Sequence, residues 1–142
     1  MSQSKEPDST PKNFYMNVER VIAELSSQYP GKTVAKLPPD NPSEIICEIE
    51  PTVDHSERSV VIAVIDSSYP HFHHRSNETY EVLKGKVSLY VGNTVHILKE
   101  GDKYTVEPGN VHWATADSAW VRVESVPGWT PKDHILVINP KE

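Results

Sequence analysis

The sequence has one cysteine and no long apolar run, and each scarcity narrows the classes of protein to consider. With Cys47 alone, no disulfide can form within the chain, which indicates a reducing compartment and predicts a cytoplasmic protein. The longest apolar run, residues 60–65, is far too short to cross a bilayer. The N-terminus has no apolar segment of the kind found in secretory signals, so we expect neither a membrane span nor export.

Positive charge is also scarce. There are 14 Lys and Arg residues against 20 Asp and Glu residues, which gives a net charge of −6 with His neutral, and no basic run occurs. Nucleic acids and anionic membranes attract basic patches, so neither is expected as a partner. A hydrophobic fraction of 37% and a length of 142 residues fit one folded globular domain.

The chain divides into three parts by composition. Residues 1–13 are polar with two prolines and are predicted to be a disordered tail. Residues 14–44 form a helix and a proline-rich connection, and residues 45–142 form the main domain. In the helix Asn17 is the expected N-cap, and Pro30 with Gly31 ends it. One apolar stripe follows the helical period: Val18, Val21, Ile22 and Leu25.

After the connection the hydrophobic period becomes strand-like. The segment EIICEIE alternates Ile45, Cys47 and Ile49 against its other face, and SVVIAVID (59–66) is apolar on both faces, as in a central strand. Further short strand patterns follow between Gly, Asn, Asp and Pro turns: KVSLYVG, TVHIL, KYTVE, AWVRVESV and HILVI. Many short strands without a second helical pattern predict an all-β antiparallel sandwich or barrel with one short N-terminal helix.

The polar stretch HFHHRSNETYEVLKG contains a possible metal site. His71 and His73 project from the same face of a strand, whereas His74 projects from the opposite face and is expected to be exposed. If the chain turns after His74, Glu78 returns beside the pair. Imidazole nitrogens and carboxylate oxygens are ligands that divalent metals accept. The alternative is a polar turn that is only rich in histidine.

A second element, EGDKYTVEPGNVHWA, offers a further ligand. Turn signals at residues 101–102 and 108–109 flank a short strand, and His112 opens the next one. If that strand lies beside the first, His112 completes a set of three histidines and one glutamate.

These two elements resemble the motifs of the cupin family. The first family motif, HxH followed by four residues, a glutamate, six residues and a glycine, is matched by His71, His73, Glu78 and Gly85. The second is matched by the G-x-x-H spacing of Gly109 and His112. Two positions depart from it: the proline directly precedes the glycine, and Ala116 stands where the family often has an asparagine. Both departures concern turn geometry and leave the ligands intact.

The resemblance implies a fold, a cofactor and an assembly. The implied fold is a double-stranded β-helix, the jelly roll or cupin barrel. One divalent metal ion (Fe, Mn, Ni or Zn) is implied inside the barrel mouth, held by His71, His73, Glu78 and His112. Members of the family often form homodimers through N-terminal strands, so a homodimer is expected.

Other polar residues have simpler interpretations. His55 and His96 have no partner at ligand spacing and are expected to be structural or solvated, and Cys47 is expected to be a small buried side chain. Tyr80 is two residues beyond Glu78 and is a possible pocket residue. Arg122 and Glu124 share a face of their strand, and either line the pocket with Tyr80 or face solvent.

The C-terminal PGWTPKDHILV carries Trp129, Asp133 and His134. It could cap the barrel mouth or form an edge strand, and we expect the edge strand.

Several functions are compatible with such a site. A redox metal supports dioxygenation, and a Lewis-acid metal supports isomerisation or epimerisation of a sugar-like molecule. Isomerisation needs a general base, for which Tyr80, Glu81 and Glu124 are candidates, and the spacing selects none of them. We expect an enzyme acting on a small polar metabolite, and the alternative is a non-catalytic module that binds a metal and a small ligand.

Overall fold

The structure, a computed structural model, describes residues 16–137; the predicted disordered tail, residues 1–13, lies outside them. The chain begins with helix α1, Val18–Gln28. The Asn17 side chain accepts a hydrogen bond from the backbone N–H of Arg20 at 3.1 Å, which confirms the predicted N-cap. Leu25 is fully buried and Val21 nearly so, as the predicted apolar stripe requires.

The rest of the described chain is mostly strand, and every pairing between the strands is antiparallel. The ten strands are β1 Val34–Leu37, β2 Glu44–Glu50, β3 Ser59–Ser67, β4 His71–Phe72, β5 Asn77–Lys84, β6 Lys86–Val91, β7 Thr94–Lys99, β8 Lys103–Val106, β9 His112–Val126 and β10 Ile135–Leu136. This composition confirms the predicted all-β class with one short N-terminal helix. Strand β1 was not predicted, because its residues were assigned to the connection.

Strand β9 holds the sheet together because it is 15 residues long and pairs with four other strands. Its first part, around Ala114, pairs with β4 and β6, and its second part, around Val121, pairs with β3 and β5. Between them Ser118 has a φ of 52°, and its backbone N–H and hydroxyl both donate to Asp66. This irregular turn lets one strand serve both halves of a sheet that closes on itself, as a double-stranded β-helix requires.

Strand β3 separates two cores, as expected for a strand that is apolar on both faces. Its Ala63 and Ile65 belong to the core inside the barrel, whereas Ile62 and Val64 belong to a second core under α1. Strand β2 alternates in the same way, with Ile45 and Cys47 facing the helix side. The inside of the barrel is therefore lined by alternate residues of each strand.

Candidate metal centre

The first three residues of the predicted ligand set lie on two short strands and the turn between them. His71 begins β4, His73 follows it directly, and Glu78 is the second residue of β5. All three are buried, whereas His74 is exposed, as the strand alternation predicted. The turn 74–76 reverses the chain so that Glu78 returns beside the histidine pair.

The fourth residue arrives from a distant part of the chain. His112 begins β9 and is the direct cross-strand partner of His71. Its other neighbour in the sheet is Val91 of β6, and its side chain has no exposed surface. The expected juxtaposition of the two elements is therefore present.

The four side chains converge on one point. One ligand atom from each of His71, His73, Glu78 and His112 lies within 4.8 Å of every other. Relative to Oε1 of Glu78, the Nε2 atoms lie at 2.9 Å for His112, 3.1 Å for His73 and 3.7 Å for His71. This arrangement is that of a site for one small cation.

The Nδ1 atom of each of the three histidine rings is hydrogen-bonded to a backbone carbonyl. The Nδ1–H group of His71 donates to the carbonyl of Tyr69 at 2.9 Å. That of His73 donates to the carbonyl of Asp133 at 2.6 Å, and that of His112 to the carbonyl of Asn110 at 2.9 Å. A neutral imidazole that donates through Nδ1 presents an unprotonated Nε2. Outer partners of this kind orient histidine ligands in metal sites.

One atom of the cluster has no hydrogen-bond partner. Nε2 of His73 is close to Glu78, but the contact lacks hydrogen-bond geometry, and the atom is buried and unsatisfied. A buried polar atom without a partner costs free energy unless something else contacts it. The donor set, three imidazole nitrogens and a carboxylate, fits a divalent metal in chemistry as well as in geometry.

The cluster also favours positive charge. Burial raises the pKa of the Glu78 carboxyl, but interactions with His112, His71 and His73 outweigh this effect and hold the pKa well below its usual range. Burial lowers the pKa of His73, yet interactions with Glu78 and Asp133 leave it raised. An anionic carboxylate among ring nitrogens attracts a cation.

The three predicted pocket residues do not lie together. Tyr80 is buried inside the barrel, and its hydroxyl donates to Oε1 of Glu78 at 3.4 Å. Arg122 and Glu124 lie on the opposite face of β9 from Val121 and Val123, which are in the barrel core. Glu124 is paired there with Arg58. The structure therefore brings only Tyr80 of the three to the cluster.

A second carboxylate, missed by the sequence reasoning, faces the barrel interior. Glu44 begins β2 and lies two residues before Ile46, which packs against the barrel core. Within residues 16–137 its carboxylate makes no hydrogen bond or ion pair, and its side chain is half-buried. Burial raises the pKa of Glu44 to about 7, with His71 opposing the rise and Glu78 reinforcing it. The available signal was the alternation of β2, which puts Glu44 on the Ile46 face.

The segment 127–137, called the C-terminal segment below, also reaches the cluster. Its strand β10 pairs with β4 at the end of the sheet, which confirms the expected edge strand. The ring of His134 stacks on that of His71 with centroids 4.4 Å apart, and its Nδ1 accepts from Nε1–H of Trp129 at 3.1 Å. Burial and then electrostatic interactions with His71 and His73 lower the pKa of His134 to about 4. The segment is thus both an edge strand and a cover beside the cluster.

The remaining candidates lie away from the cluster. His55 is exposed beside Glu50 and Glu57, and His96 packs on Tyr104 with ring centroids 4.1 Å apart. Cys47 is fully buried in the core under α1, and burial raises the pKa of its thiol. These placements agree with the structural interpretation of all three residues.

Comparison with known proteins supports the fold. A family described as "Cupin domain" matches residues 59–124. A protein of Aquifex aeolicus (strain VF5), described as uncharacterized, is 32% identical over 79 residues, which are 54% of this chain and 65% of that protein. Within residues 16–137, no helix has the length and hydrophobicity needed to span a membrane.

Two solved structures have similar folds. Pac13 from Streptomyces, described as a nucleoside dehydratase, aligns with a TM-score of 0.65 and 17–18% identity over 80% of this chain and 92% of Pac13. An RmlC-like cupin from Shewanella frigidimarina aligns with a TM-score of 0.59 and 16% identity over 72% of this chain and 88% of that protein. At these identities the likeness concerns the fold alone.

Proposed function

We propose that this chain, whose residues 59–124 match the cupin domain family, is a small metal-dependent enzyme acting on a polar metabolite inside the barrel. One divalent ion is held by Nε2 of His71, His73 and His112 and by the carboxylate of Glu78. Borderline metals (Fe, Mn, Ni or Zn) accept such mixed nitrogen and oxygen ligands.

One observation carries the metal assignment. The Nδ1–H of each histidine is used by a backbone carbonyl, so the three Nε2 atoms point at one carboxylate in a buried space and are the ring atoms left to bind a cation. Four acceptors without a shared cation repel one another and lose their hydration, which is costly in a low-dielectric interior. A bound cation removes both costs.

When bound, the metal supplies Lewis-acid polarisation of an oxygen on the metabolite. Isomerisation, epimerisation and dehydration also need a group that moves a proton. Of the three bases considered from sequence, Glu81 and Glu124 lie on the outer face, and the pKa of Tyr80 is raised well above its usual range by burial and by Glu78 and Glu44. Glu44 is the inner-wall group suited to this role.

Glu44 supports proton-transfer chemistry for three reasons. It faces the barrel interior, it interacts electrostatically with His71 and Glu78, and no protein partner occupies its carboxylate within residues 16–137. A carboxyl with a pKa of about 7 both accepts and returns a proton near neutral pH. These features favour an isomerase-, epimerase- or dehydratase-like enzyme over a dioxygenase-like one, which needs no such group when its substrate chelates iron.

The charge of the inner wall favours an uncharged metabolite. Within residues 16–137 every Lys and Arg side chain is exposed or half-buried, and the two half-buried ones, Arg58 and Arg122, belong to the outer face. A neutral hydroxyl-bearing molecule such as a sugar or nucleoside suits a wall of carboxylate and phenol groups. Pac13, which shares the fold, has been solved with uridine.

Metal content tests the assignment directly. The protein is stripped with a chelator, incubated with each of the four metals, desalted and assayed by elemental analysis. We expect about one equivalent per chain for the wild type and a loss of metal in the double variant His71→Ala/His112→Ala. The matched control His55→Ala/His96→Ala removes two histidines outside the cluster and should bind metal normally. Metal retained by the first double variant refutes the site.

Turnover separates the enzyme from the non-catalytic alternative. The metal-loaded protein is incubated with neutral sugars and nucleosides in D₂O, and deuterium incorporation and product formation are followed by NMR. We expect exchange with the wild type and none with Glu44→Gln, which should still bind metal. Ligand affinity without exchange or product identifies a binding module, and substrate-linked O₂ consumption identifies an oxygenase.

A further inference from the structure

The turn between two proposed metal ligands is held by a residue almost sixty positions away. The Asp133 carboxylate accepts hydrogen bonds from three consecutive backbone N–H groups: those of His74 at 2.7 Å, Arg75 at 3.1 Å and Ser76 at 3.2 Å. Successive N–H groups that converge on one anion form a nest, a strong binding arrangement for a carboxylate.

The same residue also holds one of the ligand rings. The backbone carbonyl of Asp133 accepts Nδ1–H of His73 at 2.6 Å. Asp133 itself is buried, with 8% of its surface exposed. Burial raises the pKa of its carboxyl, but the three N–H groups outweigh this effect and lower it, so the side chain is a buried anion stabilised by hydrogen bonds from the turn.

We propose that Asp133 is a positioning residue for the metal centre, fixing the His73 ring and the 74–76 turn so that Nε2 of His73 and the Glu78 carboxylate face each other. This inference rests on the proposed function, because it concerns the affinity of that site for metal. Four residues separate His73 from Glu78, and an unrestrained turn of that length samples many conformations. Restraining the turn before the metal arrives lowers the entropy cost of binding.

Replacement of Asp133 is a focused test because the C-terminal segment has other attachments. Strand β10 pairs with β4, the Trp129 backbone N–H donates to the Ser59 hydroxyl at 2.9 Å, and the Gly128 N–H donates to the Ser56 carbonyl at 2.9 Å. These contacts keep the segment in place when the carboxylate is removed. The turn then loses its anchor while the fold remains.

The chain offers a matched control in Asp66. It is buried to a similar degree, with 4% of its surface exposed, and it also accepts backbone N–H groups, those of Met16 at 2.9 Å and Ser118 at 2.7 Å. None of its partners belongs to the four ligands or to the turn between them. Asp66→Asn should therefore lower stability, as we expect of Asp133→Asn, without acting on the metal site.

The experiment is a Zn²⁺ titration against a chromophoric chelator for the wild type, Asp133→Asn, Asp133→Ala and Asp66→Asn, with melting temperatures of the metal-free proteins. Replacement of the Asp133 side chain leaves in place the backbone carbonyl that accepts Nδ1–H of His73, so the loss of affinity should lie near the lower end, about 10-fold, of the 10–100-fold that removal of an outer partner costs a metal site. We expect a loss of that size for Asp133→Ala, a smaller one for Asp133→Asn, which keeps one oxygen acceptor, and a change of less than about 3-fold for Asp66→Asn. The Co²⁺ absorption spectrum should change for both Asp133 variants and not for Asp66→Asn.

The outcomes are distinguishable. Equal Zn²⁺ affinity and Co²⁺ spectra for the wild type and Asp133→Asn overturn the positioning role while leaving the metal site intact. If Asp66→Asn loses as much Zn²⁺ affinity as the Asp133 variants, the loss comes from general destabilisation, and the positioning role of Asp133 is overturned as well. A wild type that binds neither ion refutes the proposed function itself. If Asp133→Ala does not fold, Asp133→Asn carries the comparison.

Discussion

His71 and His112 are direct cross-strand partners in the ladder between β4 and β9, and their rings lie 4.3 Å apart, centroid to centroid. A residue from each of the two sequence elements therefore reaches the same point through one strand pairing. His71 has a second strand neighbour, Leu136 of β10, which places the C-terminal segment beside the same pair. The geometry of the cluster thus depends on both elements and on the edge strand.

Metal binding through this pair should stabilise the native protein. Zn²⁺ at about 100 times its dissociation constant adds about 2.7 kcal/mol to the free energy of unfolding, which raises the melting temperature by roughly 5–15 °C. We expect this rise in the wild type and its loss in His112→Ala, measured by circular dichroism. His96→Ala, whose ring packs on Tyr104, should keep the rise. A full rise in His112→Ala contradicts the ligand assignment.

Structural features that depend on local periodicity were predicted correctly from the sequence. Strand alternation separated His71 and His73 from His74, and the period of α1 identified Leu25 as a core residue. A turn and a strand pairing made Glu78 and His112 possible partners of that pair, and the resemblance to the cupin motifs joined all four in one ligand set. Each of these relations is either local or repeated in many proteins.

Periodicity could not say which face of a strand lies inside the barrel. Strand β9 is buried on both faces, with Val121 in the barrel core and Trp120 in the core under α1. Arg122 was therefore a reasonable pocket candidate from sequence, although it lies on the outer face. Asp133 was missed as a contact of His73 because that contact spans 60 positions in the chain. The homodimer and the cytoplasmic location remain predictions, and light scattering tests the first.

Cys47 should be dispensable for metal binding. It is fully buried beside Ile45 and Ile62 in the core under α1. We expect Cys47→Ala to lower the free energy of unfolding by about 1 kcal/mol, and Cys47→Ser by about 1–3 kcal/mol because a buried hydroxyl would lack a partner. Urea denaturation measures both, and metal content should equal that of the wild type. Loss of metal from a folded Cys47→Ala protein contradicts the structural role.

Gly85, the last residue of the first motif, should be needed for stability. Its φ is 93°, and a Cβ there would lie 3.2 Å from Cβ of Ala119. Gly92 also has a positive φ, 57°, but a Cβ there would meet nothing within 4 Å. We expect Gly92→Ala to cost about 1 kcal/mol and Gly85→Ala about 2–4 kcal/mol, since the latter also forces a close contact with Ala119. Equal costs in urea denaturation show that backbone conformation alone matters.

Glu44 should make the stability of the metal-free protein depend on pH. Burial raises its pKa in the folded state from 4.5 to about 7, so between these values the folded state holds a proton that the unfolded state has released. Stability then falls as pH rises through this window, by up to about 3 kcal/mol. Glu44→Gln removes this contribution. The free energy of unfolding of the variant minus that of the wild type should therefore increase from pH 4.5 to 7 and then level off.

The measurement is a series of urea denaturation curves from pH 4.5 to 8 on chelator-treated wild type and Glu44→Gln. Glu48→Gln is a matched control, because Glu48 lies on the same strand and shares the inner-face alternation of Glu44 and Ile46, but sits four residues further along β2. A pH dependence that Glu48→Gln reproduces is a general effect of removing a carboxyl from this face and does not belong to Glu44. A flat difference for Glu44→Gln places its carboxyl in an ordinary solvated environment, which removes the reason to assign it proton transfer.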